Sequence, residues 1–138
     1  MSDRIENKFF HIPTNTPSSK NNRRWTGRYF IVSKSTADWK KITKSDWIGQ
    51  KQDFLEELKK TTKPYYIELT FNRKSKHKFD YINICQGVAD AMVEHGWLND
   101  DNADEVKFFF ADYEYNKDNP GVIIKIIDKT SLRYDIQK

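Results

Sequence analysis

Residues 79–101 constrain the fold more than any other segment, because a helical pattern of apolar residues there runs up to a glycine. At ~100° per residue, four apolar side chains fall on one stripe that should face a core. The stripe consists of Ile84, Val88, Ala91 and Met92. Gly96 supplies the stop signal, and Trp97-Leu98 should pack back against the helix. The pattern predicts a helix over 82–95.

Four aspartates surround the predicted helix, and they are Asp80, Asp90, Asp100 and Asp101. The first lies near the helix start, the second in mid-course, and the last two on the following loop. Carboxylate oxygens are ligands that Mg²⁺ prefers, and metal-assisted cleavage of phosphodiesters uses such an ion. The alternative is that these residues cap and solvate an ordinary surface helix, with Asp80 as the cap. Spacing alone does not show that the carboxylates meet.

The same segment resembles the motif of the RusA-like Holliday junction resolvases. That motif has the form Asp-x-Asp-Asn-x-x-Lys-x-x-x-Asp-(Ala/Ser)-Leu, followed after a glycine and an apolar pair by Asp-Asp. This chain reads Asp80-x-Ile82-Asn83-x-x-Gln86-x-x-x-Asp90-Ala91-Met92, and then Gly96-Trp97-Leu98-Asn99-Asp100-Asp101. A second segment, Pro17-Ser18-Ser19-Lys20-Asn21-Asn22-Arg23, is similar to the family's early Pro-x-Ser-x-Asn pattern. The resemblance spans residues 9–127, nearly the whole chain.

This resemblance implies a Mg²⁺-dependent DNA endonuclease that resolves Holliday junctions or other branched DNA in recombination or repair. Its catalytic metal ligands would be Asp80, Asp90 and Asp101, with Asp100 as a neighbouring or alternate ligand. The supporting residues would be Asn83 and Gln86. The family also implies a homodimer, because a twofold protein matches two symmetric cuts, and a phage or prophage origin.

Two departures from the motif bear on activity. Ile82 stands where the family has its second aspartate, and an isoleucine cannot bind a metal ion. Gln86 replaces a catalytic lysine and carries no charge. One alternative is therefore a DNA-binding relative that is catalytically weakened or inactive. A protein-interaction module on the same fold is a third reading, since fold does not dictate function.

Cations cluster in two segments that lie close to the two matched motifs. Clustered cations bind nucleic-acid phosphates without reading base sequence, whereas the alternative is that they only keep the protein in solution. The predicted DNA-binding residues are Lys20, Arg23, Arg24, Arg28, Arg73, Lys74, Lys76 and Lys78. The net charge of +4 is mild, so the clustering carries this prediction. The expected partner is branched or duplex DNA.

Length and patterning predict one α/β domain over residues 1–138, with a mixed β-sheet and helices packed on it. A hydrophobic content of 37% argues against disorder. Strands are predicted over 8–12, 28–33, 65–71, 105–115 and 121–127, and helices over 35–43, 46–60 and 82–95. The last two strands are expected to pair through a turn at 116–120.

Cys85 is the single cysteine of the chain. It therefore forms no internal disulfide, which favours a reducing cytoplasm as the location. Because it borders the apolar stripe of the predicted helix, we expect it to pack in the core and not to act as a nucleophile. No apolar run approaches the ~18 residues of a transmembrane helix, so no membrane partner is expected.

Overall fold

A mixed β-sheet forms the centre of the computed structural model, which describes residues 5, 8–18, 23–25, 30–32 and 34–131. In chain order the elements are β1 (Phe9–Pro13), β2 (Arg23–Trp25), β3 (Phe30–Val32), α1 (Lys34–Leu58), β4 (Tyr65–Arg73), α2 (Tyr81–Glu94), β5 (Val106–Phe110), β6 (Glu114–Tyr115) and β7 (Gly121–Ile126). A 3-10 turn follows at Lys129–Ser131. The predicted α/β architecture with a mixed sheet is confirmed.

The main sheet has the strand order β1-β7-β4-β5, with β6 beside the end of β4. Strand β7 is antiparallel to both of its neighbours, whereas β5 and β6 run parallel to β4. The predicted pairing of residues 105–115 with 121–127 is wrong, because β4 lies between β5 and β7. Residues 116–120 instead carry the chain across the end of β4. There the N–H of Asn116 donates to the carbonyl of Arg73 at 2.8 Å.

Helix α1 is continuous where the sequence predicted two helices. Trp39, Trp47 and Phe54 recur on one buried stripe along its whole length. The hydroxyl of Thr43 links two of these residues: it donates to the Trp39 carbonyl at 2.8 Å and accepts the Trp47 indole N–H at 3.2 Å. The buried stripe continues from Thr43 to Trp47, so packing against the core keeps residues 44–45 helical although the sequence predicted a break there.

The predicted helix over 82–95 is confirmed as α2, and its apolar stripe is buried. Beyond it, Gly96 adopts φ 76° and turns the chain back toward the core. Trp97 then packs between aromatic rings of α1, with ring centroids 4.9 Å from Trp47 and 4.4 Å from Phe54. Its indole N–H donates to the Trp47 carbonyl at 3.0 Å. The end of α2 is thereby fixed against α1.

A close approach of β1 and β7 requires glycine at position 121. Gly121 has φ 146°, and a Cβ there would collide with the carbonyl oxygen of Ile12. Just beyond β1, the N–H of Thr14 donates to the Pro120 carbonyl at 3.1 Å. These contacts hold the segment that leaves β1, residues 14–18, at the same end of the sheet where β4 finishes.

Candidate active site

Asp80 occupies the N-cap position of α2, but its carboxylate does not cap the helix. Its backbone is extended, with φ −105° and ψ 131°, and its side chain makes no cap hydrogen bond. Its Oδ2 instead accepts a hydrogen bond from Nδ2 of Asn83 at 3.1 Å. The capping interpretation is therefore right about the position and wrong about the bond. The carboxylate is exposed at the surface.

A buried carboxylate closes the loop that follows α2. Glu105 pairs with Lys63 through Oε1 at 2.9 Å, and its Oε2 accepts the backbone N–H of Asn99 at 3.2 Å. The hydrogen bond and the charge of Glu105 raise the pKa of Lys63 above its ordinary value. Because Glu105 joins both ends of the loop, the residues between 99 and 105 form a defined turn.

The two aspartates carried by this loop have different surroundings. Asp100 accepts the backbone N–H of Asp101 through Oδ1 at 2.7 Å and the side-chain amide of Asn102 through Oδ2 at 3.0 Å. Within the described ranges, the Asp101 carboxylate accepts no hydrogen bond and forms no ion pair. Asp100 therefore stabilises the turn, while Asp101 is the carboxylate that the turn presents to solvent.

The thiol of Cys85 is buried in α2, and the charge of Asp101 acts on it. Burial raises the pKa of the Cys85 thiol to about 12, and the nearby negative charge of Asp101 adds to the shift. The same shift keeps the thiol protonated at neutral pH, which agrees with a packing role for Cys85 and makes it a poor nucleophile.

Asp90 does not join Asp80, although the two were predicted to share an ion. Because α2 is continuous, the ten residue steps from Asp80 to Asp90 correspond to ~15 Å along the helix axis. One ion holds its oxygen ligands at about 2.0–2.6 Å, so it cannot contact both side chains. Among the residues that the structure describes, no group of three or more Asp, Glu, His or Cys side chains could hold a metal ion. Asp80 and Asp101 remain as predicted ligands, without Asp90.

The two departures from the family motif lie on the open surface of α2. Ile82 is 80% exposed, which is unusual for so large an apolar residue. Gln86 is also exposed, one helical turn further along the same side. Neither residue supports the core, so the chain departs from the motif at positions where packing places no demand on the side chain.

Arg73 has a structural role in place of the predicted DNA contact. It is only 5% exposed, and burial lowers the pKa of its guanidinium. Its Nη1 donates to the Thr16 carbonyl at 2.6 Å and its Nη2 donates to the Ser18 hydroxyl at 3.3 Å. The guanidinium also lies 4.8 Å from the ring centroid of Phe79. Arg73 therefore joins residues 16–18, where the early motif segment begins, to Phe79 beside Asp80, and its buried guanidinium is not available to a surface phosphate.

Three of the predicted cations are available at the surface between β4 and α2. Lys74, Lys76 and Lys78 are exposed in the segment that leads to Asp80, and Lys76 Nζ lies 5.3 Å from the ring centroid of Tyr115. The backbone N–H of Lys74 donates to Oδ1 of Asn15 at 3.0 Å. The remaining predictions fall outside the described part: Lys20 and Arg28 entirely, and Arg23 and Arg24 in their side chains.

Sequence reasoning missed an aromatic cluster that surrounds the start of α2. Tyr81 stacks on Phe110 with ring centroids 4.9 Å apart, and its hydroxyl oxygen accepts the backbone N–H of Tyr113 at 3.3 Å. Phe79 meets Tyr113 edge to face at 5.0 Å. The dense aromatic content of 108–115 was the available signal. This cluster fixes the residues on either side of Asp80.

The protein is an α/β domain that exposes the carboxylates of Asp80 and Asp101 and, in the segment before Asp80, a group of lysines. Carboxylates and lysines of this kind are typical of a protein that cleaves a phosphodiester. The family model described as endodeoxyribonuclease RusA matches residues 13–127. The chain therefore belongs to the RusA endodeoxyribonuclease family, which confirms the resemblance noted in the sequence. A search of curated proteins found no match. In the described ranges, no helix is both long and apolar enough to span a bilayer.

Proposed function

We propose that this protein is a Mg²⁺-dependent endonuclease that cleaves Holliday junctions or other branched DNA at a site formed by Asp80 and Asp101. Membership of the RusA family supports the DNA-cleaving class. The observation that carries the site assignment is the exposed carboxylate of Asp80, which occupies a cap position without capping the helix. The charge of Asp101 acts on the Cys85 thiol of α2 and helps to raise its pKa, which supports a position of Asp101 near this helix.

The donor chemistry of these two residues fits Mg²⁺. This ion commonly takes only one or two protein carboxylates together with substrate phosphate oxygens. When bound, it would offset the charge of the scissile phosphate and lower the pKa of a water ligand. Asn83 holds the Asp80 carboxylate in one orientation through its 3.1 Å hydrogen bond. Lys74, Lys76 and Lys78 would attract the phosphate backbone toward these carboxylates.

A second candidate is a weakly active or inactive relative that binds branched DNA. The exposed Ile82 and Gln86 favour it, because the family motif has an aspartate and a lysine there. Loss of these groups removes one potential ligand and one cation from the phosphate path. Neither change disturbs the fold, so DNA binding would persist where cleavage is slow.

The test measures cleavage of a labelled four-way junction over a range of Mg²⁺ concentrations. Asp101→Asn should lower the rate at least about 100-fold, because a catalytic ion contributes several kcal/mol and 1.36 kcal/mol is tenfold. Asp104→Asn is the matched control, since it removes an exposed carboxylate from the same loop. Binding without cleavage in the wild-type protein would favour the second candidate. Equal rates for both variants would remove Asp101 from the site.

The homodimer remains part of this proposal, because two symmetric cuts require two equivalent sites. Sedimentation of the free protein and of its junction complex measures this directly. A role in the recombination or repair of phage or prophage DNA in the cytoplasm is also proposed from the family alone.

A further inference from the structure

A basic groove lies between α1 and the end of α2, at the opposite end of the helix from Asp80. Its volume is about 510 Å³. Three lysines from α1 form one side and two residues from the end of α2 form the other. The lining residues are Ala37, Lys40, Lys41, Lys44, Glu94 and His95. None of these residues belongs to the motif or to the cations predicted from the sequence.

The lysines of this groove lack local carboxylate partners. Lys40 and Lys44 are one helical turn apart, a spacing at which like charges repel. In the described part of the chain, neither they nor Lys41 form an ion pair. By contrast, Lys34 on the same helix pairs with Asp38 at 2.9 Å. Glu94 is the one carboxylate in the lining, so the groove carries a surplus of positive charge.

The opposite wall of the groove packs on the core. The ring of His95 stacks on the buried ring of Trp47, with centroids 5.9 Å apart and planes inclined by 7°. Further along α1, the side chain of Lys51 extends over Gly96, so that its Nζ lies 2.8 Å from the position of an added Cβ. The row of lysines therefore continues past the groove, and it faces a wall whose shape is set by core packing.

We propose that this groove binds backbone phosphates of one duplex arm of the branched DNA, an inference that rests on the proposed function. The fourteen residue steps from Asp80 to Glu94 span ~21 Å along α2. That length corresponds to about six base pairs at 3.4 Å each. A DNA arm that follows α2 from the cleaved phosphate would therefore bring its backbone to the lysines about six base pairs from the branch.

Charge and shape favour a DNA backbone as the occupant. Lysine contacts phosphate as a point charge and does not read bases, which suits a nuclease that selects a branched shape. The row of lysines runs along the helix axis, as successive backbone phosphates run along a duplex. Contacts of this kind release counterions, so each one adds about 0.9 to the salt dependence of binding.

The first test compares Lys40→Gln/Lys44→Gln with a control of equal charge change, Lys59→Gln/Lys107→Gln, whose lysines are exposed elsewhere. Binding of an uncleaved four-way junction is measured in Ca²⁺ at several salt concentrations. The groove variant should flatten the salt slope by about 1.8. Its affinity deficit should therefore shrink about 12-fold between 50 and 200 mM salt. The control should keep the wild-type slope.

The second test places neutral methylphosphonate linkages at single positions along one arm. With wild-type protein, substitution about six base pairs from the branch should weaken binding. The groove variant should be insensitive to the same substitution, because the contact is already lost. A groove variant with the wild-type slope and the wild-type sensitivity overturns the inference while leaving the proposed function intact. A wild-type protein that binds no junction overturns both.

Discussion

The two ends of helix α2 treat their polar groups in opposite ways. At the start, Asp80 leaves the cap hydrogen bond unmade and exposes its carboxylate. At the far end, the backbone N–H groups of His95, Gly96 and Trp97 all donate to carbonyls of the last turn. Trp97 then buries its ring and donates its indole N–H to α1. The start thus leaves a carboxylate exposed, whereas the backbone N–H groups at the far end are satisfied by the protein itself.

This difference indicates that groups available for ligand binding and groups that stabilise the fold can be separate within a single helix. Polar atoms that the fold does not satisfy can bind an ion or a phosphate without disrupting packing. Polar atoms that the fold does satisfy contribute to the free energy of unfolding when they are buried. Substitution of an exposed carboxylate should therefore change cleavage, whereas loss of a buried hydrogen bond at either end should change the free energy of unfolding.

The largest effect is expected for Arg73→Met, near the start of α2. Loss of the guanidinium bonds to Thr16 and Ser18 should lower the free energy of unfolding by about 2–3 kcal/mol. Junction cleavage should also fall, because Arg73 supports Phe79 next to Asp80. Urea unfolding followed by tryptophan fluorescence measures the first effect. The exposed Lys74→Met is the control, expected to stay within about 0.5 kcal/mol. If the variant kept its stability but bound DNA more weakly, Arg73 would instead contact DNA, as the sequence predicted.

At the far end, Trp97→Phe should affect stability alone. The variant removes the additional indole donor to the Trp47 carbonyl and part of a buried ring, at a cost of about 1–2 kcal/mol in the free energy of unfolding. Junction cleavage by the folded variant should match the wild-type rate. Tyr113→Phe, an exposed aromatic, should leave both quantities unchanged. A slower cleavage rate at full folding would show that the two ends of α2 are coupled.

Ile82→Asp should strengthen metal binding at the start of α2. Because Ile82 is 80% exposed, the new carboxylate remains solvated and stability should change by less than about 0.5 kcal/mol. An added carboxylate near Asp80 should raise Mg²⁺ affinity about tenfold, measured by calorimetry. Ile48→Asp is the matched control, since Ile48 is 58% exposed on α1. Equal affinities in the two variants would argue against a metal site at this end.

The smallest effect is expected for Asp90→Asn. Its ~15 Å displacement from Asp80 along the axis exceeds the screening length of ~10 Å at 0.1 M salt. Junction cleavage should therefore change less than about twofold. Single-turnover rates for this variant and for Asp101→Asn give the comparison. If Asp90→Asn abolished cleavage, the original three-carboxylate prediction would be restored and the geometry of α2 would have to change on binding.

The helix and the family could be predicted from the sequence because both depend on local spacing. The stripe from Ile84 to Met92 and the stop at Gly96 are periodic signals, and they correspond to α2. The role of Arg73 could not be predicted, since its partner Thr16 lies 57 residues away in the chain. The predicted strand pairing was wrong for the same reason, because the adjacency of β4 and β7 depends on contacts between residues far apart in the sequence.

Gly121 links a remote position to the candidate site. A side chain at position 121 would collide with the carbonyl oxygen of Ile12 and force β1 away from β7. The same end of the sheet holds residues 14–18, which Arg73 ties to Phe79. In a saturation mutagenesis screen, Gly121 should therefore tolerate as few replacements as Asp80 does. Lower temperature or a stabilising second mutation should restore function to variants at position 121, but not to variants at position 80.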